Sequence, residues 1–109
     1  MWFVLNENKE VVPSDMLSAS NHMEDVSRRV VAYSDMSDGS LLSTVFLYLD
    51  HSMGRSDGPI LFESMWFGGP YDGHQRRYKT WKEAEEGHSD MLEAYYEYQK
   101  YNADKLAKM

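Results

Sequence analysis

The run from Ser43 to Gly73 constrains this chain more than any other stretch. It reads STVFLYLDH, then a polar gap rich in Ser, Gly, Asp and Arg, then GPILFESMWFGGPYDG. Two apolar runs of β-branched and aromatic residues around a turn-rich gap are the signature of a β-hairpin with a long loop. Pairing Asp50 with Ile60 across the gap sets Leu47 opposite Glu63, Val45 opposite Met65 and Leu49 opposite Leu61 on one face. On the other face, Tyr48 meets Phe62, Phe46 meets Ser64 and Thr44 meets Trp66. Both faces are apolar, so both are expected to be covered or used. A gap of this length leaves the register open.

The flanking segments supply the rest of the fold. Residues 2–5 and 9–13 are short β-type runs around Asn6-Glu7-Asn8, an opening hairpin. Ser14 is a candidate N-cap for a short, weakly amphipathic helix over 14–26, and Arg28 to Ser34 reads as a strand. Asp38-Gly39, Asp57-Gly58 and Asp72-Gly73 are tight-turn signals, the last inside a loop expected from Gly68 to about Lys79. Thr80-Trp81-Lys82-Glu83 is a capping box opening a long C-terminal helix. Acidic residues crowd the first part of that helix and Lys100, Lys105 and Lys108 its end, in the favourable sense of the helix dipole. At 100° per residue Trp81, Ala84, His88, Met91, Leu92, Tyr95 and Leu106 share a stripe, with Tyr98 and Tyr101 off it. Gly87 inside this helix costs about 1 kcal/mol relative to Ala, so close packing is expected there. The element order is β-β-α-β-β-β-α. The expected architecture is a single α+β domain over 1–109, a mainly antiparallel twisted sheet backed by the C-terminal helix.

Composition narrows the function classes. The 109 residues contain 15 aromatic side chains (Tyr 8, Phe 4, Trp 3) and no cysteine, and the net charge is −7. The aromatics argue against disorder even with a mean hydropathy of −0.63. Without cysteine there is no disulfide scaffold or thiolate metal site. The negative charge argues against general nucleic-acid binding. No run approaches the roughly 20 apolar residues that cross a bilayer, and residues 2–5 are too few for a signal-peptide core.

Five polar residues stand out as chemistry-bearing: Asp50, His51, Glu63, His74 and His88. Under the register above, Glu63 and His88 each interrupt an apolar surface, and a hydrogen bond between them would satisfy both. Asp50 and His51 sit where a strand enters a loop, and His74, Arg76 and Arg77 lie in a loop with Tyr71 and Asp72, able to grip an acidic group. No pair has the HExxH spacing of a metal site and no Gly-x-Ser-x-Gly marks a nucleophile, so no cofactor and no metal is expected.

The segments Ser43–His51 (STVFLYLDH), Leu61–Gly69 (LFESMWFGG) and Tyr78–His88 (YKTWKEAEEGH) resemble a family of short uncharacterised proteins encoded by tailed phages and prophages. The resemblance implies a viral origin, a place in the cytoplasm of the infected bacterium, and a small accessory role. It carries no catalytic or ligand residue across. The first expectation is a non-enzymatic protein that binds a host or phage macromolecule, counter-defence being one such action. Tyr71, His74, Arg76, Arg77, Tyr98 and Tyr101 are the candidate contact residues. The alternatives are a small hydrolase or metal-dependent enzyme using Asp50, His51, Glu63 and His88, or a protein sequestering a small phosphorylated ligand at Arg76 and Arg77. Surplus apolar surface also points to a homodimer.

Overall fold

The computed structural model describes residues 1–54 and 57–108, so Arg55 and Ser56 of the polar gap lie outside the described residues. A two-stranded hairpin, β1 (Trp2–Leu5) and β2 (Val11–Ser14), opens the chain and is followed by helix α1 (Met16–Glu24) and a single turn α2 (Val26–Arg29). Strands β3 (Val30–Asp35), β4 (Leu41–Phe46), β5 (Phe62–Phe67) and β6 (Gln75–Tyr78) form one antiparallel sheet in sequence order. Helix α3 (Trp81–Ala107) closes the chain. The architecture is the expected α+β arrangement with one strand more than the sequence pattern revealed.

The local signals account for most boundaries. In the first hairpin, the Asn6 side chain accepts hydrogen bonds from the Asn8 and Glu10 amides, while Lys9 takes the left-handed φ of +64°. Asp15, not Ser14, caps α1, taking the Ser18 amide at 2.8 Å. Asp25 ends α1 and caps α2, which displaces the start of the expected strand from Arg28 to Val30. Thr80 caps α3 as its sequence proposes, accepting the Glu83 amide at 3.1 Å. The loop expected over 68–79 contains β6, a four-residue edge strand of Gln75, Arg76, Arg77 and Tyr78. Its polar composition hid it, because charged side chains are the usual way an edge strand is protected from further pairing.

The central hairpin departs from the expected register by two residues. Val45 faces Glu63, Thr44 faces Ser64 and Phe46 faces Phe62. At the loop neck the expected neighbours do meet: the Asp50 carboxylate takes the Ile60 amide at 2.9 Å and the His51 amide donates to the Ile60 carbonyl. Between this neck and the Leu47–Leu61 hydrogen bond, one side of the hairpin carries two additional residues, Tyr48 and Leu49. Tyr48 absorbs the excess at φ +68°, a left-handed conformation that costs a residue with a Cβ about 1–2 kcal/mol. Burial of its ring among Phe46, Phe3 and Leu5 offsets that strain.

Helix α3 crosses all four strands on the face of Leu42, Thr44, Phe46, Phe62, Ser64 and Trp66. This is the face opposite to the one expected from Glu63 and Val45. Ala84, Gly87, His88, Met91 and Tyr95 form its buried stripe, whereas Leu106 is exposed. At about 1.5 Å per residue the 27 residues of α3 span about 40 Å, roughly twice a six-residue strand, so its C-terminal half carries Tyr96, Tyr98, Tyr101 and Leu106 in the open.

The covered face contains two apolar clusters. One joins Phe46, Tyr48, Leu61, Phe62, Tyr78 and Ala84 to Phe3, Leu5 and Ala19 of the N-terminal segment. The other consists of Leu42, Trp66, Met91 and Tyr95. Between them runs a buried polar belt to which every strand of the sheet contributes one hydroxyl. His88 bonds Ser34 at 2.9 Å through Nε2 and Thr44 at 2.7 Å through Nδ1. Thr44 bonds Ser64, and the Tyr78 hydroxyl donates to Ser64 at 3.1 Å. A neutral imidazole satisfies this arrangement, donating through one nitrogen and accepting through the other. Burial pushes the His88 pKa down, favouring that neutral form. Gly87 is explained by the same crossing, since a Cβ there would overlap the buried Tyr78 ring.

Candidate functional site

The second cluster opens to the surface as a cleft of about 230 Å³ lined by Trp66, Tyr71, His74, Gln75, Arg76, Asp90, Met91 and Ala94. Two elements build it: the β5–β6 hairpin and the third and fourth turns of α3. The connection is held by its own backbone and side chains. Trp66 exchanges hydrogen bonds with Gly73 and His74 across the loop, and the Asp72 carboxylate takes the Gly68 amide at 2.7 Å. Gly69 sits at φ +73°, and a Cβ there would press on the Ser40 side chain at 2.7 Å. This loop therefore presents Tyr71 in one place.

An aromatic stack forms the base of the cleft. Trp66 stacks on Tyr95 with ring centroids 5.2 Å apart and on Tyr71 at 6.1 Å, the planes tilted by 28° and 29°. Tyr71 meets the edges of His74 and Tyr98 at 5.5 and 5.4 Å. The Tyr95 hydroxyl donates to Asp38 at 2.7 Å, tying the stack to the β3–β4 turn. Hydrogen bonds from Ser40, with that from Tyr95, hold the Asp38 carboxyl below its usual range, and donating to the Asp38 carboxylate raises the Tyr95 pKa. Polar groups line the rim: Arg76 approaches Asp90 at 3.9 Å, and its guanidinium also lies 5.7 Å from the centroid of the Tyr78 ring.

The expected contact residues divide. Tyr71, His74 and Arg76 line this cleft and Tyr98 borders it through Tyr71. Arg77 does not join them. Adjacent strand residues face opposite sides, and Arg77 pairs with Glu63 at 3.0 Å on the other face of the sheet. Arg76 and Arg77 therefore do not share one ligand. Tyr101 is exposed on the overhanging half of α3, away from the cleft lining.

The second constellation also divides. Asp50 is occupied as a loop cap, accepting from Ser52 and from the Ile60 amide, and these bonds lower its pKa. His51 is exposed, with Nδ1 on the Leu49 carbonyl at 2.7 Å. Glu63 lies with Arg77 on the uncovered face and His88 in the belt beneath α3, so the expected Glu63–His88 hydrogen bond does not form. The reason is the choice of face: α3 covers the even-numbered residues of β5, and Glu63 is odd. Asp50, His51, Glu63 and His88 do not converge, and among the described residues no three His, Asp or Glu side chains gather as a metal site would require.

Trp66, Asp90, Met91 and Ala94 complete the cleft without a signal that set them apart in the sequence. Trp66 reads as one apolar strand residue among several, and Met91 as part of a helix stripe. Their meeting with Tyr71 depends on the angle at which α3 crosses β5.

His22, absent from the sequence reading, is a further buried histidine. Its Nδ1 bonds the Tyr48 hydroxyl at 2.6 Å. Burial lowers its pKa, assisted by Arg28, and burial raises that of Tyr48. This pair anchors α1 to the strained residue of β4's extension.

No protein-family model, curated protein or solved structure matches the chain. No helix among the described residues is long and apolar enough to cross a membrane.

Proposed function

We propose that this is a small accessory binding protein whose cleft between the β5–β6 loop and α3 takes an anchor side chain of a protein partner. The observation that carries the reading is the grouping of Trp66, Tyr71, Tyr98, Arg76 and Asp90 around one open notch on rigid elements. Aromatic and arginine side chains over a preformed notch are the composition of interface hot spots. A volume of about 230 Å³ suits one or two side chains of a partner better than a whole cofactor, since small-molecule sites run to about 300–1,000 Å³. The net charge of −7, with Asp90 on the notch and Glu86, Glu93 and Glu97 exposed elsewhere on α3, favours a partner with a basic surface. A bacterial cytoplasmic setting, a host or phage target and a counter-defence role rest on the resemblance of Ser43–His51, Leu61–Gly69 and Tyr78–His88 to phage-encoded proteins. The enzymatic alternative would need residues other than the dispersed Asp50, His51, Glu63 and His88.

Site-specific photo-crosslinking tests the notch. Benzoylphenylalanine placed at Tyr71 in bacterial cells should yield one discrete covalent adduct, lost when Arg76→Glu is added. The same probe at Leu17, an exposed position on α1, should not yield it. An identical adduct pattern from both positions, or none from Tyr71, would refute the reading.

A further inference from the structure

The sheet has a second face, and among the described residues no helix packs against it as α3 does on the first. Odd-numbered residues of β4 and β5 line it in rows. Asp35, Leu41 and Phe67 form one row, Tyr33, Ser43, Met65 and Gln75 the next, and Val30, Val45, Glu63 and Arg77 the third. Helix α3 packs on the opposite face, and α1 packs on β1. Phe67 and Tyr33 are 48% and 58% exposed, while Leu41, Val45 and Met65 are partly buried.

We propose that this face is a self-association surface on which a second copy of the chain stacks, sheet against sheet, about a two-fold axis. Charge selects the occupant. The face carries Asp35, Glu63 and Arg77, and the last two neutralise each other at 3.0 Å. In a chain of net charge −7 this is a near-neutral surface, so two copies meet here without the repulsion that would oppose contact between the acidic faces of α3. Area agrees. Three six-residue strands about 20 Å long and the four-residue β6, about 4.8 Å apart, give roughly 350 Å² of projected face. With side-chain relief, two such faces stacked about 10 Å apart bury roughly 1,000 Å² in total, the lower bound for a biological interface. Self-complementarity is available too, because a two-fold axis near Met65 sets the aromatic corner at Phe67 of one copy over the aliphatic rows of the other.

The overhanging half of α3 is the competing surface and fits a second copy less well. At 100° per residue Tyr98 and Tyr101 share one side, but Tyr96 and Leu106 point elsewhere, so the four make no continuous stripe.

Sedimentation velocity across the micromolar range tests the proposal on the full chain. The wild type should sediment at twice the 12.7 kDa chain mass. Met65→Arg should shift it to the chain mass, raising the dissociation constant at least about tenfold, with the circular dichroism spectrum retained. Phe67→Arg serves the same purpose at a half-exposed position where folding is not at stake, and Tyr101→Arg should leave the dimer intact. A wild type that stays at the chain mass throughout overturns the proposal. So does a dimer that survives Phe67→Arg, or one that Tyr101→Arg dissolves.

Discussion

The two apolar clusters beneath α3 use similar material and end differently. Around Phe46, Phe62 and Tyr48, the N-terminal hairpin and α1 close the end of the sheet, and Ala19, Leu61, Phe62 and Ala84 have no measurable exposure. Around Trp66, Tyr95 and Met91 no further helix or strand arrives among the described residues, and Tyr71 remains partly exposed over a notch. The His88 belt divides them. One end is a core, and the other is a core left open on one side, which is how a stable scaffold presents aromatic surface to a partner.

The sharpest contrast between the two ends should appear on truncation. Phe62→Ala removes a fully buried ring that packs on Phe46 and Trp81, and should cost about 4 kcal/mol in denaturant melts. Tyr71→Ala at the open end should cost about 1 kcal/mol. Equal losses at the two positions would show that the notch is part of the core.

Gly87→Ala tests the divide itself. The added methyl would push the Tyr78 ring, whose hydroxyl ends the belt, and the ring has packed neighbours on every side of its cluster. A loss of about 3 kcal/mol is expected, opposite in sign to the gain an Ala normally brings within a helix. Stabilisation by Gly87→Ala would mean that α3 and β6 are further apart than described.

The smallest expected effect is a pH dependence. Folding lowers the pKa of His88 and of His22 through burial, so the unfolded chain binds more protons than the folded one once pH falls below the ordinary histidine value of about 6.5. The stability these neutral rings contribute is full above that pH and declines as the solution is acidified from there toward the lowered folded values. His88→Gln should be less stable at neutral pH and show a shallower decline between pH 6.5 and about 5. An unchanged slope would mean that folding leaves the proton affinity of His88 as it is in the unfolded chain.

Local chemistry made much of this protein legible from residue order. The Thr80 cap and the stripe from Trp81 to Tyr95 define α3, and the alternation in Ser43–Phe46 and Phe62–Phe67 sorts side chains into two faces. The grouping of Tyr71, His74 and Arg76 also follows from nearness in sequence, because they share one hairpin. Tertiary structure decided what those patterns leave degenerate. A shift of two residues keeps every side chain on its own face, so hydrophobic pattern alone cannot choose between Val45 facing Met65 and Val45 facing Glu63. The choice was made by the left-handed Tyr48, held by its bond to His22 and by Phe3, which donates its amide to the Tyr48 carbonyl. Which apolar face α3 covers was likewise open, since both faces offer comparable area. The belt of hydroxyls around His88 and the small Gly87 against Tyr78 fit one face only, and those contacts join residues up to 54 positions apart.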